Sequence, residues 1–455
     1  MRRFRDADTG NVAIMFGASL VVLMLGVGAA VDVSRWLHAR DQTAAALDAA
    51  VIAGARAYHT ANRSADVGIA AAKQFYSQNV SSRLPVIDDS VSFSINPDGK
   101  GISARGNAYI KTPFLQLAGI SKLPLLNLAD TVAEFGSGEA EISIMLDVTG
   151  SMAGSKLQDL KDASKDLVDI VLNANGQTKI AIVPFSEDVR LPTTTARDRA
   201  RATGLRSSFT KSTPNCIGNW CSGNTTKTYR LTDCVVERVG NQKYTDAAPG
   251  ANAYVMAKYG ENTTSCTIPA NAAVQPLTTD KTVLINKING LGAAGGTGGH
   301  LGTAWAWYTL SPNWNTLWPT ANQARPYNTD KQSPGYLRKI AVLMTDGEYN
   351  TQYQQAQTNS GVTANPNATT SCPDATNGCS SVQAKALCKN MKEQSGIEIF
   401  AIVFGSDQGA IDVMRQCASK DTDKIVYFYN ATNGDQLKSA FRDIGIKMTQ
   451  LYLSK

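Results

Sequence analysis

The longest feature in the hydrophobic pattern is an apolar, uncharged stretch at 12–31, preceded by the basic tip Met1-Arg2-Arg3-Phe4-Arg5. About twenty such residues cross a bilayer as a helix, so 12–31 predicts a transmembrane anchor behind a cytoplasmic tip at 1–11. Arginines before the stretch and Asp32 after it predict a cytoplasmic N-terminus with the bulk outside. A cleaved signal peptide is the rival reading, with Ala29-Ala30 as its cleavage site. The apolar run exceeds a usual signal core, which favours an uncleaved anchor. Past Asp32, Leu37, Ala44, Leu47, Val51 and Ala55 recur at helical spacing among many alanines, so the helix is expected to continue.

The period then changes. Val91, Phe93 and Ile95 alternate with serines, Asn96-Pro97-Asp98-Gly99 reads as a turn, and 102–110 is expected to return as a partner strand. With the alanine-rich helix this predicts a small α+β domain over 32–135, ending at a Gly136-Ser137-Gly138 hinge. From 139 onward strands and helices alternate. Apolar runs at 142–146, 179–185, 340–344, 397–404 and 425–429 read as strands. Helical patterns cover Leu157 to Val171, 280–288, 301–310, 411–417 and a closing stretch marked by Leu437, Phe441, Ile444 and Met448. Such alternation predicts an α/β, doubly wound parallel sheet. Three segments, at about 187–276, 311–334 and 349–380, are too long for ordinary loops and read as insertions. Trp305 and Trp307 on the 301–310 helix read as core or interface residues.

The formal charge of +6 is spread along the chain without dense Lys/Arg blocks, so nucleic acid is not expected as a partner. All eight cysteines lie beyond the anchor, and an even count in an exported region predicts disulfides. Proximity suggests Cys216–Cys221, Cys234–Cys266 and Cys372–Cys379. Cys388 and Cys417 lie on helical patterns flanking one strand, where they can meet. No Cys-x-x-Cys pair occurs and there are three histidines, which argues against zinc.

The candidate chemistry sits at strand ends. Asp147-Val148-Thr149-Gly150-Ser151 follows the 142–146 strand and offers a carboxylate and two hydroxyls at alternating positions. Gly295-Gly296-Thr297-Gly298-Gly299 offers one hydroxyl among glycines that admit close backbone approach. A second apolar strand ends in Thr345-Asp346-Gly347-Glu348. Hard oxygen donors of this kind suit Mg²⁺ or Mn²⁺. A strand-end Asp that only caps a helix is the bland alternative.

In this order of Asp-x-Thr-x-Ser, then Thr, then Asp, the sequence resembles the von Willebrand factor A (vWA) family over 136–455. The resemblance implies a Rossmann-like fold and a metal-ion-dependent adhesion site. Thr149, Ser151 and Thr297 would bind Mg²⁺ (or Mn²⁺) directly, and Asp147 and Asp346 directly or through water. Thr149 departs from the serine more usual there but keeps the hydroxyl.

The anchor running into an alanine-rich helix resembles the N-terminal helix of pilins, so 32–135 is expected to be pilin-like. A prepilin-type glutamate is missing after Gly10-Asn11-Val12-Ala13-Ile14-Met15. Taken with a C-terminal vWA domain, the chain resembles TadG-like proteins of the tight-adherence (Flp) pilus assembly system. The resemblance rests on Gly10-Asn11-Val12-Ala13, the 342–351 run and Cys417-Ala418-Ser419 ahead of Ala440-Phe441. It implies a single-pass protein of the inner membrane that helps assemble or anchor a pilus. Its metal would take an Asp or Glu carboxylate from another pilus or envelope protein. The alternatives are a directly adhesive surface protein and an envelope protein whose metal only stiffens loops. No catalytic residue is assigned; His300, beside Thr297, reads as a helix-start residue and not a base.

Overall fold

The computed structural model describes residues 11–61, 64–81, 84–95, 101–125, 131–134, 140–174, 178–202, 204–217, 220–238, 240–251, 253–328, 337–357, 363–422 and 425–449. The basic tip, the 96–99 turn, the 136–138 hinge and parts of the second and third insertions lie outside them. Two compact units divide the chain between Ser137 and Gly138.

In the first unit, α1 (Asn11–Thr60) is one continuous helix, followed by α2 (Ala65–Val80). One stretch of it, Ile14–Ala55, is long and apolar enough to cross a membrane, with a mean hydropathy of 2.4 in its richest window. Its C-terminal half packs Ala46, Leu47, Ala50 and Val51 against Ala72 and Tyr76 of α2. Leu37, expected on that face, is 46% exposed; Ala39 and Thr43 are buried instead. The strands are β1 (Ser92–Ile95), β2 (Gly101–Arg105), β3 (Tyr109–Lys111), β4 (Lys122–Pro124) and β5 (Thr131–Glu134). β1 and β2 pair antiparallel, but the expected 102–110 strand stops at Arg105. The ladder breaks at Gly106-Asn107-Ala108, and β3 pairs with β4 in a separate ribbon while β5 takes the free edge of β2.

The second unit runs β6 (Ala140–Asp147), α3 (Ser155–Ala174), β7 (Lys179–Phe185), β8 (Val189–Arg190), α4 (Thr194–Ala200), β9 (Ser208–Ile217), β10 (Trp220–Arg238), β11 (Val255–Glu261) and β12 (Gln275–Thr278). It continues with α5 (Lys281–Asn289), α6 (Gly299–Leu310), β13 (Arg338–Thr345), β14 (Gln352–Gln357), β15 (Thr363–Thr369), α7 (Ser380–Ser395), β16 (Glu398–Phe404), α8 (Gln408–Cys417), β17 (Phe428–Ala431) and α9 (Gly434–Thr449). The main sheet has the order β12-β7-β6-β13-β16-β17, parallel except for the edge strand β12. Every residue of β6 is buried, as a central parallel strand covered on both faces requires. Helices α3, α5 and α9 pack together, as do α6, α7 and α8, which makes the sheet doubly wound.

The last main-sheet strand begins at Phe428, three residues later than its apolar run. The amides of Ile425 and Tyr427 are taken by the Thr422 hydroxyl and the Asp421 carboxylate, so the ladder starts beyond them. The first and third insertions are not separate decorations. Their strands share a second sheet, β14-β15-β11-β10-β8, with β9 pairing β10. The four disulfides are Cys216–Cys221, Cys234–Cys266, Cys372–Cys379 and Cys388–Cys417.

Candidate metal centre

The main sheet grows outward from β6 through β7 to β12, then restarts on the other side of β6 with β13. Where strand order reverses, the loops leaving two adjacent strands part in opposite directions and open a crevice at the carboxyl ends. Asp147 ends β6, and Asp346 directly follows β13.

The two carboxylates are joined by a chain of hydroxyls. Asp147 Oδ1 accepts from the Thr149 amide at 2.9 Å and from the Thr149 hydroxyl at 2.6 Å. Thr149 Oγ1 lies 2.9 Å from Ser151 Oγ, which donates to Asp346 Oδ1 at 2.6 Å. Asp147 Oδ2 accepts from Thr345 Oγ1 at 2.7 Å and from the Asp346 amide at 3.3 Å. Lys156, at the start of α3, donates to Asp346 Oδ2 at 2.8 Å.

A proton count defines what this arrangement accepts. A hydroxyl has one proton to give. With that of Thr149 given to Asp147 and that of Ser151 to Asp346, the two hydroxyl oxygens, 2.9 Å apart, both keep their lone pairs for a cation. Asp147 is completely buried, and among the described residues no Lys or Arg pairs with it. Desolvation, and secondarily repulsion by Asp346, pushes its carboxyl up to about 6 against the three hydrogen bonds that hold it down. Two carboxylates and two converging hydroxyl oxygens, their protons turned toward the carboxylates, fit a hard divalent cation. Among the described residues no three His, Cys, Asp or Glu side chains group to hold a metal, so a cation here depends on the hydroxyls.

Thr297 is placed nearby but differently. The glycine loop is stitched to the first loop by Ala294 N–H to Val148 O (2.9 Å) and Gly150 N–H to Gly295 O (2.9 Å). Thr297 donates its amide to Asn350 Oδ1 at 3.0 Å and accepts from the Thr351 amide at 3.1 Å. Its backbone is thus fixed between the loops after β6 and β13, and its side chain is 4% exposed. Its hydroxyl is not part of the chain joining Asp147 to Asp346. The glycines are there for close approach: a Cβ on Gly299 would strike the Tyr349 ring.

Four of the five expected residues are therefore hydrogen-bonded together, and the fifth lies on the adjoining loop. Thr345, Lys156 and Asn350 were missed as site residues. Thr345 was legible, since it precedes Asp346 on the same strand end; Lys156 and Asn350 act through tertiary contacts that no local pattern signals. His300, expected to do no more than start a helix, is buried at the N-terminal end of α6. Its Nδ1 lies 2.7 Å from Ser380 Oγ and its Nε2 lies 2.9 Å from Glu237 Oε2. This Ser–His–Glu contact joins α7, α6 and β10, which is why no sequence motif announces it. All three are at most 4% exposed, and the cavity beside them, about 10 Å³, has room for about one water.

A family model describing Flp pilus-assembly TadE/G-like proteins (Tad) matches residues 10–57. No curated protein matches the chain. Among solved structures, the chain is similar to the vWF domain of the type V pili tip protein Mfa5 from Porphyromonas gingivalis. That match has 13% identity over 68% of this chain and 95% of the other, with a TM-score of 0.37. It is similar to the pilus adhesin SpaC from Lactobacillus rhamnosus GG at 11% identity and a TM-score of 0.35. There it covers 79% of this chain and 34% of SpaC, so the chain spans about a third of that adhesin. A von Willebrand factor type A protein from Catenulispora acidiphila matches at 12% identity over 70% of this chain and 44% of the other, with a TM-score of 0.31. Residues 10–57 thus match the TadE/G-like pilus-assembly family model, and beyond them the chain carries a doubly wound α/β sheet.

Proposed function

We propose that this protein is a membrane-anchored binding component of Flp/Tad pilus assembly or anchoring. It recognises an acidic side chain on another pilus or envelope protein through a divalent cation at the β6–β13 crevice. The observation that carries this is the hydroxyl chain through Thr149 and Ser151 that joins Asp147 to Asp346 at the strand-order reversal. Asp147, Thr149, Ser151 and Asp346 are the residues that would hold Mg²⁺ or Mn²⁺, with Thr297 completing the set from the glycine loop. A cation held there supplies an open position for a carboxylate from the partner. The surrounding loops select the partner by shape and charge. In this reading α1 crosses the inner membrane with its N-terminus in the cytoplasm, and the chain beyond the 12–31 span lies outside it.

The full chain in detergent tests the reading. Mg²⁺ or Mn²⁺ should raise its thermal midpoint, with a gain of about 2.7 kcal/mol at a hundredfold excess over Kd. Asp147→Ala should abolish the gain. A fluorescent acidic peptide should bind with the cation and not with EDTA. Equal behaviour of wild type and Asp147→Ala toward both cations would sink the proposal.

A second reading has a specific observation behind it. Ser151 on the loop after β6 donates to Asp346 on the loop after β13, so a cation held between them would also tie the two loops together. A cation that stabilises the chain while the acidic peptide fails to bind would favour this loop-stiffening role. Turnover is not part of the proposal, because the Ser380–His300–Glu237 contact is enclosed and has no room beside it for a substrate.

A further inference from the structure

The exposed apolar surface of α1 continues onto a neighbouring turn. Between Ile14 and Val27 the helix shows apolar side chains outward, with Ile14 71%, Val22 68% and Val27 66% exposed. Gly28 is the first buried position, and Phe114 is the reason: a Cβ on Gly28 would come within 2.5 Å of its ring. One helical turn later Asp32, 1% exposed, accepts the amides of Phe114 and Leu115 on one carboxylate oxygen, both at 2.8 Å. The turn is closed on itself by Thr112 Oγ1 to Ile120 O at 2.6 Å and Ile120 N–H to Leu115 O at 3.0 Å. It is a fixed structure, held at the level of Gly28 to Asp32.

Its outward face is apolar. Leu117 is 77% exposed, and Phe114 and Ile120 are each 44% exposed. From 112 to 121 there is no charged residue, while Lys111 stands at one end and Lys122, paired with Asp88 at 2.7 Å, at the other. Outside α1 and this turn, the exposed large apolar residues described in this unit are Val67 and Phe75, each under half exposed. A helix rises 1.5 Å per residue, so Phe114 meets α1 about 5 Å inside the outer end of the 12–31 apolar run. That is the depth at which apolar elements lie in the boundary between headgroups and acyl chains, with Lys reaching back to the phosphates. Trp36, two turns past Gly28, donates its indole N–H to Pro124 O at 2.7 Å, an amphipathic ring where interfacial aromatics sit.

We propose that the turn at 113–120 is a second membrane contact, an apolar wedge that enters the outer face of the lipid bilayer beside α1. This rests on α1 being a membrane anchor. With two points of contact, the first unit does not rotate freely about its helix; the Asp32 carboxylate is the clamp that fixes wedge to anchor.

The test uses the full chain reconstituted in phosphatidylcholine/phosphatidylglycerol vesicles. Leu117→Cys adds one unpaired cysteine for an environment-sensitive fluorophore, and nitroxide lipids act as quenchers. Leu20→Cys in the anchor and Gln78→Cys on the exposed side of α2 serve as references. The label at 117 should be quenched at least twofold by headgroup-proximal nitroxides, and the label at 78 should not. A label at 117 as water-exposed as that at 78, with the label at 20 quenched, overturns the wedge and leaves the anchor standing. If the label at 20 also escapes lipid quenching, the anchor reading fails and the wedge with it. A label at 117 shielded from water yet not quenched by lipid means that protein covers the turn, which also overturns the proposal.

Discussion

Asp147 has a completely buried carboxyl that no basic side chain among the described residues pairs with. Its proton is held up to about 6, against an ordinary value of 3.8. For a raised carboxyl the contribution to stability is full below the unfolded value and is lost as pH rises through the folded one. In the absence of cation this amounts to about 2.4 kcal/mol between pH 4 and pH 7. A divalent ion binds the carboxylate, so it must displace that proton. Mg²⁺ affinity should therefore be flat above pH 7 and fall about tenfold per unit below pH 6, measured by calorimetry from pH 5 to 8. Lys156 acts on the same site with opposite effect. Its ammonium, 2.8 Å from Asp346 Oδ2, competes with a cation for that oxygen, and with a side chain 40% exposed it can withdraw into water. Lys156→Met should tighten Mg²⁺ binding several-fold; a weaker site in this variant would mean that Lys156 organises Asp346 and does not compete for it.

Between β6 and β13, Glu141 and Lys339 stand opposite each other in register. Lys339 Nζ lies 2.5 Å from Glu141 Oε2 and also donates to Leu310 O at 2.8 Å and Arg325 O at 2.7 Å. Both side chains are at most 3% exposed. Lys339→Met leaves the buried Glu141 carboxylate only the Arg325 amide at 2.9 Å and its guanidinium at 3.9 Å, takes the Lys339 donor from two carbonyls, and should cost about 3 kcal/mol in urea unfolding. The double variant Glu141→Leu/Lys339→Met removes both charges and should recover most of that loss. These strands were legible because burial on both faces forces continuous apolar runs, and so were Asp147 and Asp346 at their ends. The second sheet was not. β9 and the outer half of β10 are runs of Ser, Thr, Asn and Lys with little apolar alternation, because they are largely exposed. β15 joins β11 through Lys258 and Asn365, a long-range pairing that neither strand's pattern signals. β17 was placed three residues early because its leading apolar residues spend their amides on Thr422 and Asp421.

Across the whole chain the covalent cross-links are confined to one unit. All eight cysteines lie between 216 and 417, inside Gly138–Gln450, and each is in a disulfide. Loop entropy ranks these bonds. Cys388 and Cys417 are 29 residues apart and tie α7 to α8, where closing the loop removes about 3.5 kcal/mol of unfolded-state entropy. Cys216 and Cys221 are 5 apart at a hairpin tip, for about 2 kcal/mol. Removing Cys388 and Cys417 together should therefore destabilise the second unit more than removing Cys216 and Cys221. The first unit holds no cysteine and depends on helix pairing and its own small cores. Two units with separate cores are expected to unfold in separate transitions. Calorimetry of the full chain in detergent, with and without dithiothreitol, separates the contributions: reductant should lower one transition and leave the other where it was. A single transition that moves as a whole would show that the two units share their stability, and the division at Ser137 would then be one of contact density and not of folding.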